Sequence, residues 1–213
     1  MPTNNACSKI SGAVLAGGEN KRFPVLKSLI KVNGITIIEK NLRLLNSICD
    51  EVFISTNTPE LYFRQSAVML GDIVQSRGPM SGIFSSLLNA KNESLFIVAC
   101  DMPFLSIEVM SLICKRHFEA SQDMQYDATV PVYNKMIQPL CGIYSKNILP
   151  SLEQHILDGK NSMHLFLKES KTNYIEEPEI RKIATDSNLF ININTIEDYE
   201  TVRRLGSGIT LAV

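Results

Sequence analysis

Ile10-Ser-Gly-Ala-Val-Leu-Ala-Gly-Gly18 sets the architecture of this chain, because its apolar run ends abruptly at two glycines. A short apolar run bounded by glycine is typical of a buried strand that leads into a loop. Apolar residues then recur at helical spacing over residues 37–48, and Glu51–Ser55 is a short β-like run. Strand, helix and strand in this order predict the start of a parallel βαβ unit.

The same alternation continues along the chain. It predicts a strand over residues 67–70, a helix from about 80 to 90, and a strongly apolar strand over 95–100 that stops at Asp101. Strands that are almost continuously apolar are expected where helices cover both faces of a sheet, so we predict an α/β fold with a mainly parallel central sheet. The later pattern predicts one helix, three strands, the second of them antiparallel, and a last helix: residues 107–118, 127–132, 137–144, 189–193 and from about 195.

Composition narrows the classes of function. The 213 residues are 45% hydrophobic and carry a formal net charge of -1, which predicts one compact domain over residues 1–213 without a general affinity for nucleic acid or membranes. The five scattered cysteines show no zinc-ligand spacing and indicate reduced thiols. No secretory signal or apolar run of membrane-spanning length is evident, so we expect a cytoplasmic protein.

The loop after the first strand has the chemistry of an anion site. Gly17 and Gly18 permit close approach to backbone N–H groups, and Lys21, Arg22 and Lys27 add positive charge. The loop matches neither the P-loop nor the dinucleotide-binding pattern. A triphosphate is one interpretation, and an ordinary glycine-rich turn with solvated basic residues is the other.

Asp101 ends the most apolar strand and precedes Met102 and Pro103. In open α/β sheets, ligands bind beyond the carboxyl ends of the strands, where a carboxylate can hold Mg²⁺ against nucleotide phosphates. The alternative is that Asp101 caps the helix that follows Pro103.

Two further features lie in the same group of loops. Asp72 could accept hydrogen bonds from a base or ribose, or it could be a turn residue beside Gly71. Gly78-Pro-Met-Ser-Gly82 opens a helix whose N–H groups could face an anion or a polar base edge. Alternatively, this segment is only a proline-initiated helix start.

Taken in order, these motifs resemble the molybdenum cofactor guanylyltransferase family, within the superfamily of nucleotide-diphosphate-sugar transferases. The resemblance implies a three-layer, Rossmann-like sandwich. The matching positions span nearly the whole chain: Leu15-Ala-Gly-Gly18, Arg22, Lys27, Gly78-Pro-Met-Ser-Gly82, Cys100-Asp-Met-Pro103, Gln138-Pro139, Asn192-Ile-Asn-Thr195 and Glu197-Asp198.

The resemblance implies transfer of GMP from GTP to molybdopterin, which yields molybdopterin guanine dinucleotide and pyrophosphate. Arg22, Lys27 and Asp101 would be catalytic, and Asp101 would bind Mg²⁺. Molybdoenzymes or other cofactor-biosynthesis proteins would be partners. The nucleotide positions it implies are Leu15, Ala16, Gly17, Gly18, Lys27, Ser55, Asp72, Gly78, Pro79, Gly82 and Asp101. The pterin positions it implies are Gln138, Asn192 and Asn194.

This chain departs from the family pattern in its first loop. Pro24 stands where the family usually has glycine, and Leu26 stands where it usually has aspartate. Pro24 removes a donor N–H and stiffens the loop. After the second strand, Ser55 replaces the usual asparagine, with Asn57 two residues later. The alternatives are a nucleotidyltransferase of the same fold that uses CTP or a sugar phosphate, and a catalytically silent homologue that binds nucleotide or pterin.

Overall fold

The structure is a computed structural model that describes residues 9–17, 27–74, 78–205 and 209–210. The strands in these ranges are β1 (Ile10–Leu15), β2 (Lys31–Val32), β3 (Ile35–Thr36), β4 (Glu51–Ser55), β5 (Val68–Leu70), β6 (Ser94–Ala99), β7 (Ala128–Tyr133), β8 (Met136–Ile137), β9 (Cys141–Ser145), β10 (Thr172–Ile175) and β11 (Ile209–Thr210). The α-helices are α1 (Ile37–Asn46), α2 (Met80–Asn89), α3 (Ile107–Asp123), α4 (Leu149–Leu157), α5 (Met163–Glu169), α6 (Glu177–Arg181) and α7 (Ile196–Leu205).

The main sheet has the strand order β10-β7-β9-β6-β1-β4-β5, with β8 paired to β7. β1 lies at its centre and pairs in parallel with both β4 and β6. β9 runs antiparallel to its two neighbours, β6 and β7. The predicted α/β fold with a mainly parallel sheet is therefore confirmed. β2, β3 and β11 form a separate small antiparallel sheet.

Helices cover both faces of the main sheet. Side chains alternate along β1, so Ile10 and Val14 pack into one core with α1 and α3. Ala13 and Leu15 face the other side and pack with α2, α4 and α5. This arrangement confirms the three layers and explains why the central strands read as continuous apolar runs.

Gly12 allows α1 to approach β1 closely. A Cβ atom at this position would lie 3.0 Å from Cys49 Sγ and 3.1 Å from Leu45 Cδ2. A larger residue than glycine at position 12 would push the helix outward.

The α1 helix begins after Thr36, whose side chain accepts a hydrogen bond from the Glu39 N–H at 3.3 Å.

Two predicted strands differ from the observed structure. Residues 189–193 form no strand: they leave a turn and continue as a segment without regular secondary structure, which reaches the carboxyl edge of the sheet. Its Ile193 N–H donates to the Asp101 carbonyl oxygen at 3.1 Å.

The predicted strand over residues 137–144 is two strands, β8 and β9, because residues 138–140 between them do not pair as a strand.

The described residues also include cysteines and helices relevant to redox state and membrane insertion. Cys100 and Cys141 are free thiols, in agreement with the expectation from their scattered positions. Among the described helices, none is both long and apolar enough to cross a bilayer.

Candidate functional site

The carboxyl ends of β1, β4, β5 and β6 meet at one edge of the sheet, as the parallel order predicted. Hydrogen bonds continue past the strand ends and fix the loops there. The Ala16 N–H donates to the Ser55 carbonyl oxygen at 2.8 Å, and the Cys100 N–H donates to the Leu15 carbonyl oxygen at 3.1 Å. Ser55 is buried, whereas Gly17 is exposed and has open space where a Cβ would stand.

Lys27 lies at this edge, in a short 3₁₀ turn over Lys27–Leu29. Its Nζ donates to Asn194 Oδ1 at 3.1 Å, although 167 residues separate the two along the chain. Lys27 is also close enough to Asp101 for its charge to act on that carboxyl group. The structure therefore brings together three predicted residues: a lysine, a carboxylate and an amide.

Burial raises the pKa of the Asp101 carboxyl above its ordinary value. The positive charge of Lys27 acts in the opposite direction, and the negative charge of Asp198 raises the pKa further. A desolvated carboxylate beside an ammonium group is a favourable place for a cation and a phosphate to meet. Asp101 does not act as the side-chain cap of α3, which begins after Ser106.

Asp72 lies beyond the end of β5 and forms a paired contact with Asn57. The Asn57 Nδ2 donates to Asp72 Oδ2 at 2.8 Å, and the Asp72 N–H donates to Asn57 Oδ1 at 2.9 Å. Asn57 was identified from the sequence only as a residue two positions after Ser55, and no local pattern indicated its pairing with Asp72. Asn57 fixes the orientation of the Asp72 carboxylate at the site edge.

The first turn of α2 packs against the ends of β1 and β4. Gly78 has a φ of 101°, a backbone conformation that favours glycine, and Pro79 starts the helix without a side-chain cap. A Cβ on Gly82 would lie 2.6 Å from Ser55 Oγ and 3.2 Å from Leu15 Cδ2. This close approach places the N–H groups of the first helical turn near the site, where an anion or base edge can use them.

The predicted pterin positions reach the same edge from the other half of the chain. Gln138 lies between β8 and β9, two residues before Leu140, whose carbonyl oxygen accepts a hydrogen bond from Ala99 N–H at 2.9 Å. Asn192 Oδ1 is buried and has no hydrogen-bond partner among the described residues. Because Ile193 binds the Asp101 backbone, Asn192 is adjacent to the Asp101 loop. Gly18 and Arg22, and the substituted Pro24 and Leu26, lie outside the described residues.

Residues of α1 that sequence analysis missed support the loop that carries Asp101. Lys40 Nζ donates to the Pro103 carbonyl oxygen at 2.6 Å, and the buried Asn41 Nδ2 donates to the Ala99 carbonyl oxygen at 3.1 Å. Burial lowers the pKa of the Lys40 ammonium group. These contacts hold the chain on both sides of Asp101, and no local pattern in the helix would have indicated them.

Tyr62 supports the first loop in a similar way. Its hydroxyl lies 2.9 Å from Ser28 Oγ and donates to the Ala16 carbonyl oxygen at 3.4 Å. Burial raises the pKa of Tyr62 to about 12, so the hydroxyl keeps its proton at neutral pH. The side chain therefore links the segment after Lys27 to the end of β1.

A depression of about 540 Å³ lies at the opposite edge of the sheet, between the start of β6 and the end of β9. Ser94, His117 and Lys146 are among its lining residues. None of its lining residues belongs to the predicted site, so this depression is separate from the group around Asp101.

Comparison with known sequences gives consistent results. The profile of the MobA-like NTP transferase domain matches residues 12–173. A relative from Peptoclostridium acidaminophilum, named probable molybdenum cofactor guanylyltransferase, is 34% identical over 88% of this chain and 86% of its own length. A molybdenum cofactor guanylyltransferase from Desulfosudis oleivorans is 33% identical over 90% of this chain and 93% of its own length.

Solved structures agree on the fold. Molybdopterin-guanine dinucleotide biosynthesis protein A from Archaeoglobus fulgidus superposes with a TM-score of 0.77 at 24% identity, covering 92% of this chain and 97% of that one. The 4-diphosphocytidyl-2C-methyl-D-erythritol synthase from Anaerococcus prevotii gives a TM-score of 0.66 at 15% identity, covering 95% and 99%. Fold alone therefore does not select the nucleotide, whereas the sequence match identifies the chain as a member of the MobA-like NTP transferase family.

Proposed function

We propose that the protein transfers GMP from GTP to molybdopterin, giving molybdopterin guanine dinucleotide and pyrophosphate. One observation carries the proposal: Lys27, Asp101 and Asn194 meet at the carboxyl edge of the sheet in a chain 34% identical to a probable molybdenum cofactor guanylyltransferase. A nucleotidyltransferase needs positive charge for the triphosphate and a carboxylate for its cation at one place.

The reaction requires little covalent participation from the protein. The terminal phosphate of the pterin attacks the α-phosphorus of GTP, a new P–O bond forms, and the bond to the pyrophosphate oxygen breaks. The attacking phosphate is already an anion, so no strong general base is required. Lys27 would neutralise charge on the triphosphate, and the loops would hold the two substrates in line.

The residues at this edge fit a magnesium ion. Asp101 provides a desolvated carboxylate, and the buried Asn192 Oδ1 is a further oxygen that has no hydrogen-bond partner within the described part of the chain. Among the described residues there is no group of three His, Cys, Asp or Glu side chains that could hold a metal, so the phosphates would complete the coordination. When bound, Mg²⁺ would neutralise phosphate charge during the transfer.

Asp72 and Asn57 support guanine as the base. A guanine presents two adjacent N–H donors on its Watson–Crick edge, and a carboxylate can accept both. Asn57 holds the Asp72 carboxylate from one side through a 2.8 Å bond to Oδ2. Ser55, Gly78, Pro79 and Gly82 would border the base and ribose, and the backbone of residues 15–17 would face the phosphates.

Two further assignments accompany the proposal. Gln138, Asn192 and Asn194 would contact the pterin, because they approach the edge from the side opposite the proposed base pocket. We also propose that residues 1–213 form a single nucleotidyltransferase domain in the cytoplasm. A molybdoenzyme or another protein of cofactor biosynthesis would receive the product.

The test is pyrophosphate release by the purified protein with molybdopterin and Mg²⁺, comparing GTP, CTP and ATP. We expect turnover that requires both acceptor and metal and prefers GTP. Preference for CTP would reassign the protein within its fold, and nucleotide binding without turnover would indicate a silent homologue.

Two substitutions probe the site in the same assay. Lys27→Ala and Asp101→Asn should each lower turnover by about 100-fold or more, since each removes charge at the reacting phosphates. Lys115→Ala and Asp158→Asn are matched controls, because each removes a charged side chain that pairs with an exposed neighbour on a helix or at its end. Full activity of either site variant would contradict the assignment.

A further inference from the structure

The segment over residues 192–195 is held from two sides. On one side, the Ile193 N–H donates to the Asp101 carbonyl oxygen at 3.1 Å. On the other side, the N–H groups of Asn194 and Thr195 both donate to Asp198 Oδ2, each at 2.8 Å. One carboxylate oxygen therefore fixes two consecutive backbone groups beside the proposed metal ligand.

Part of this arrangement is an ordinary helix cap. Thr195 Oγ1 accepts a hydrogen bond from the Asp198 N–H at 3.1 Å, and Asp198 accepts one from the Thr195 N–H in return. Such a reciprocal pair is the capping box that starts a helix, here α7. The cap does not require the additional bond from the Asn194 N–H, so that bond calls for a separate explanation.

The hydrogen bond from the Asn194 N–H to Asp198 connects the start of α7 to the proposed site. Asn194 accepts a hydrogen bond from Lys27 Nζ through its side-chain oxygen. Since Asp198 fixes the backbone of Asn194, it also fixes the point from which the Asn194 side chain reaches Lys27. The carboxylate of Asp198 is close enough to Asp101 to raise the pKa of that carboxyl group. Asp198, Asn194, Lys27 and Asp101 thus form one connected group.

We propose that Asp198 is a positioning residue, which anchors the backbone of Asn194 and thereby holds the Lys27 ammonium group beside Asp101. This inference rests on the proposed function, since it assumes that Lys27 acts on the triphosphate. The effect of Asp198 on the reaction passes through geometry, and the side chain itself need not touch a substrate.

Thr195 provides a matched control. Asp198→Ala and Thr195→Ala each remove one side-chain bond of the same capping box, but only Asp198→Ala also releases the Asn194 N–H. We expect similar shifts in the midpoint of urea unfolding for the two variants. Asp198→Ala should lower kcat by about 10-fold more than Thr195→Ala does, with the protein fully folded.

Two more variants separate anchoring from other effects. Asp198→Asn keeps an oxygen acceptor at the same position and should restore kcat to within about 3-fold of the wild type. In an Asn194→Ala background the anchor has no side chain to position, so adding Asp198→Ala should cost less than about 2-fold in kcat. Non-additivity of this kind is not expected from a purely structural cap.

The outcomes test the proposed function and the positioning role of Asp198 separately. Full turnover in both Lys27→Ala and Asn194→Ala would overturn the proposed function. If those two variants lose turnover while Asp198→Ala equals Thr195→Ala in kcat, the positioning role alone is wrong. Additive losses from Asp198→Ala and Asn194→Ala, or an Asp198→Asn variant as slow as Asp198→Ala, would also overturn the positioning role.

Discussion

Lowering the pH from 7.5 to 5.0 is expected to destabilise the protein through His117. This side chain is buried between β6 and β7, with Nε2 2.9 Å from Ser94 Oγ and Nδ1 3.1 Å from Thr129 Oγ1. Burial lowers the pKa of His117 from 6.5 to about 4. The folded protein therefore resists protonation of this ring, whereas the unfolded chain accepts the proton readily.

The magnitude follows from the two pKa values. Between pH 6.5 and 4 the unfolded chain binds more protons than the folded protein, so stability rises with pH in this window. The contribution of His117 is complete above the unfolded pKa and is lost as the pH falls toward the folded pKa. At pH 5.0 the loss comes to about 2 kcal/mol relative to pH 7.5, at about 1.4 kcal/mol per pH unit.

Urea unfolding at the two pH values measures this loss, and His117→Gln is the reference variant. Gln lacks a group that titrates in this range but can still hydrogen-bond to Ser94 or Thr129. The decrease in unfolding free energy between pH 7.5 and 5.0 should be about 2 kcal/mol smaller in the variant, because other titrating groups contribute to both proteins. Equal decreases in the two proteins would refute a buried, neutral His117.

Two further predictions concern the site itself. Gly82→Ala should lower the unfolding free energy by about 1–2 kcal/mol in urea titrations, because the new Cβ would meet Ser55 Oγ at 2.6 Å. Adding Ser55→Ala should recover part of that loss, since it removes the shortest contact and leaves Leu15 Cδ2 at 3.2 Å and the Cβ of residue 55 at 3.7 Å. Asp101→Asn should raise the unfolding midpoint of the ligand-free protein at pH 7.5 while it abolishes turnover. Burial raises the pKa of Asp101, so its ionised form costs stability above that pKa, and a lower midpoint in the Asn variant would contradict this reasoning.

Local patterns predicted the central strands well for a physical reason. β1, β4 and β6 are covered by helices on both faces, so almost every residue in them must be apolar. Gly17 after β1 and Asp101 after β6 mark the points where the apolar runs end. The loops that follow parallel strands lie at the same edge of the sheet, which is why Asp72 and Asp101 were both predicted to face one crevice.

Peripheral strands were harder to predict. β10, Thr172–Ile175, lies at the sheet edge and is only partly buried, so its mixed polar sequence gives no strong signal. Residues 189–193 are apolar because they pack over the end of the sheet: Leu189 and Phe190 join the core with α1 and α3, and Ile193 packs with Tyr199. The apolar residues of this segment correctly predicted that it is buried, but a buried segment need not pair as a strand.

Contacts between distant segments lay beyond local sequence reasoning. The hydrogen bond between Lys27 and Asn194 joins residues 167 positions apart. The Asn57–Asp72 pair forms because the segments that follow β4 and β5 lie side by side. Family resemblance named most of the residues, but it did not indicate which of them touch. Asp198 was noted only as an acidic residue in a motif, although three of the hydrogen bonds that order its segment involve it.

Charge balance connects these contacts to the proposed reaction. In the described part of the site, Lys27 and Asp198 both lie close enough to Asp101 to act on its carboxyl group, so the positive charge of Lys27 is already offset before a nucleotide arrives. A triphosphate brings several more negative charges to the same edge. Its binding there would be opposed unless a divalent cation entered with it, since like charges in a partly desolvated site repel strongly. In the proposed reaction, the carboxylates thus make nucleotide binding depend on the metal, while Lys27 holds the phosphates in place.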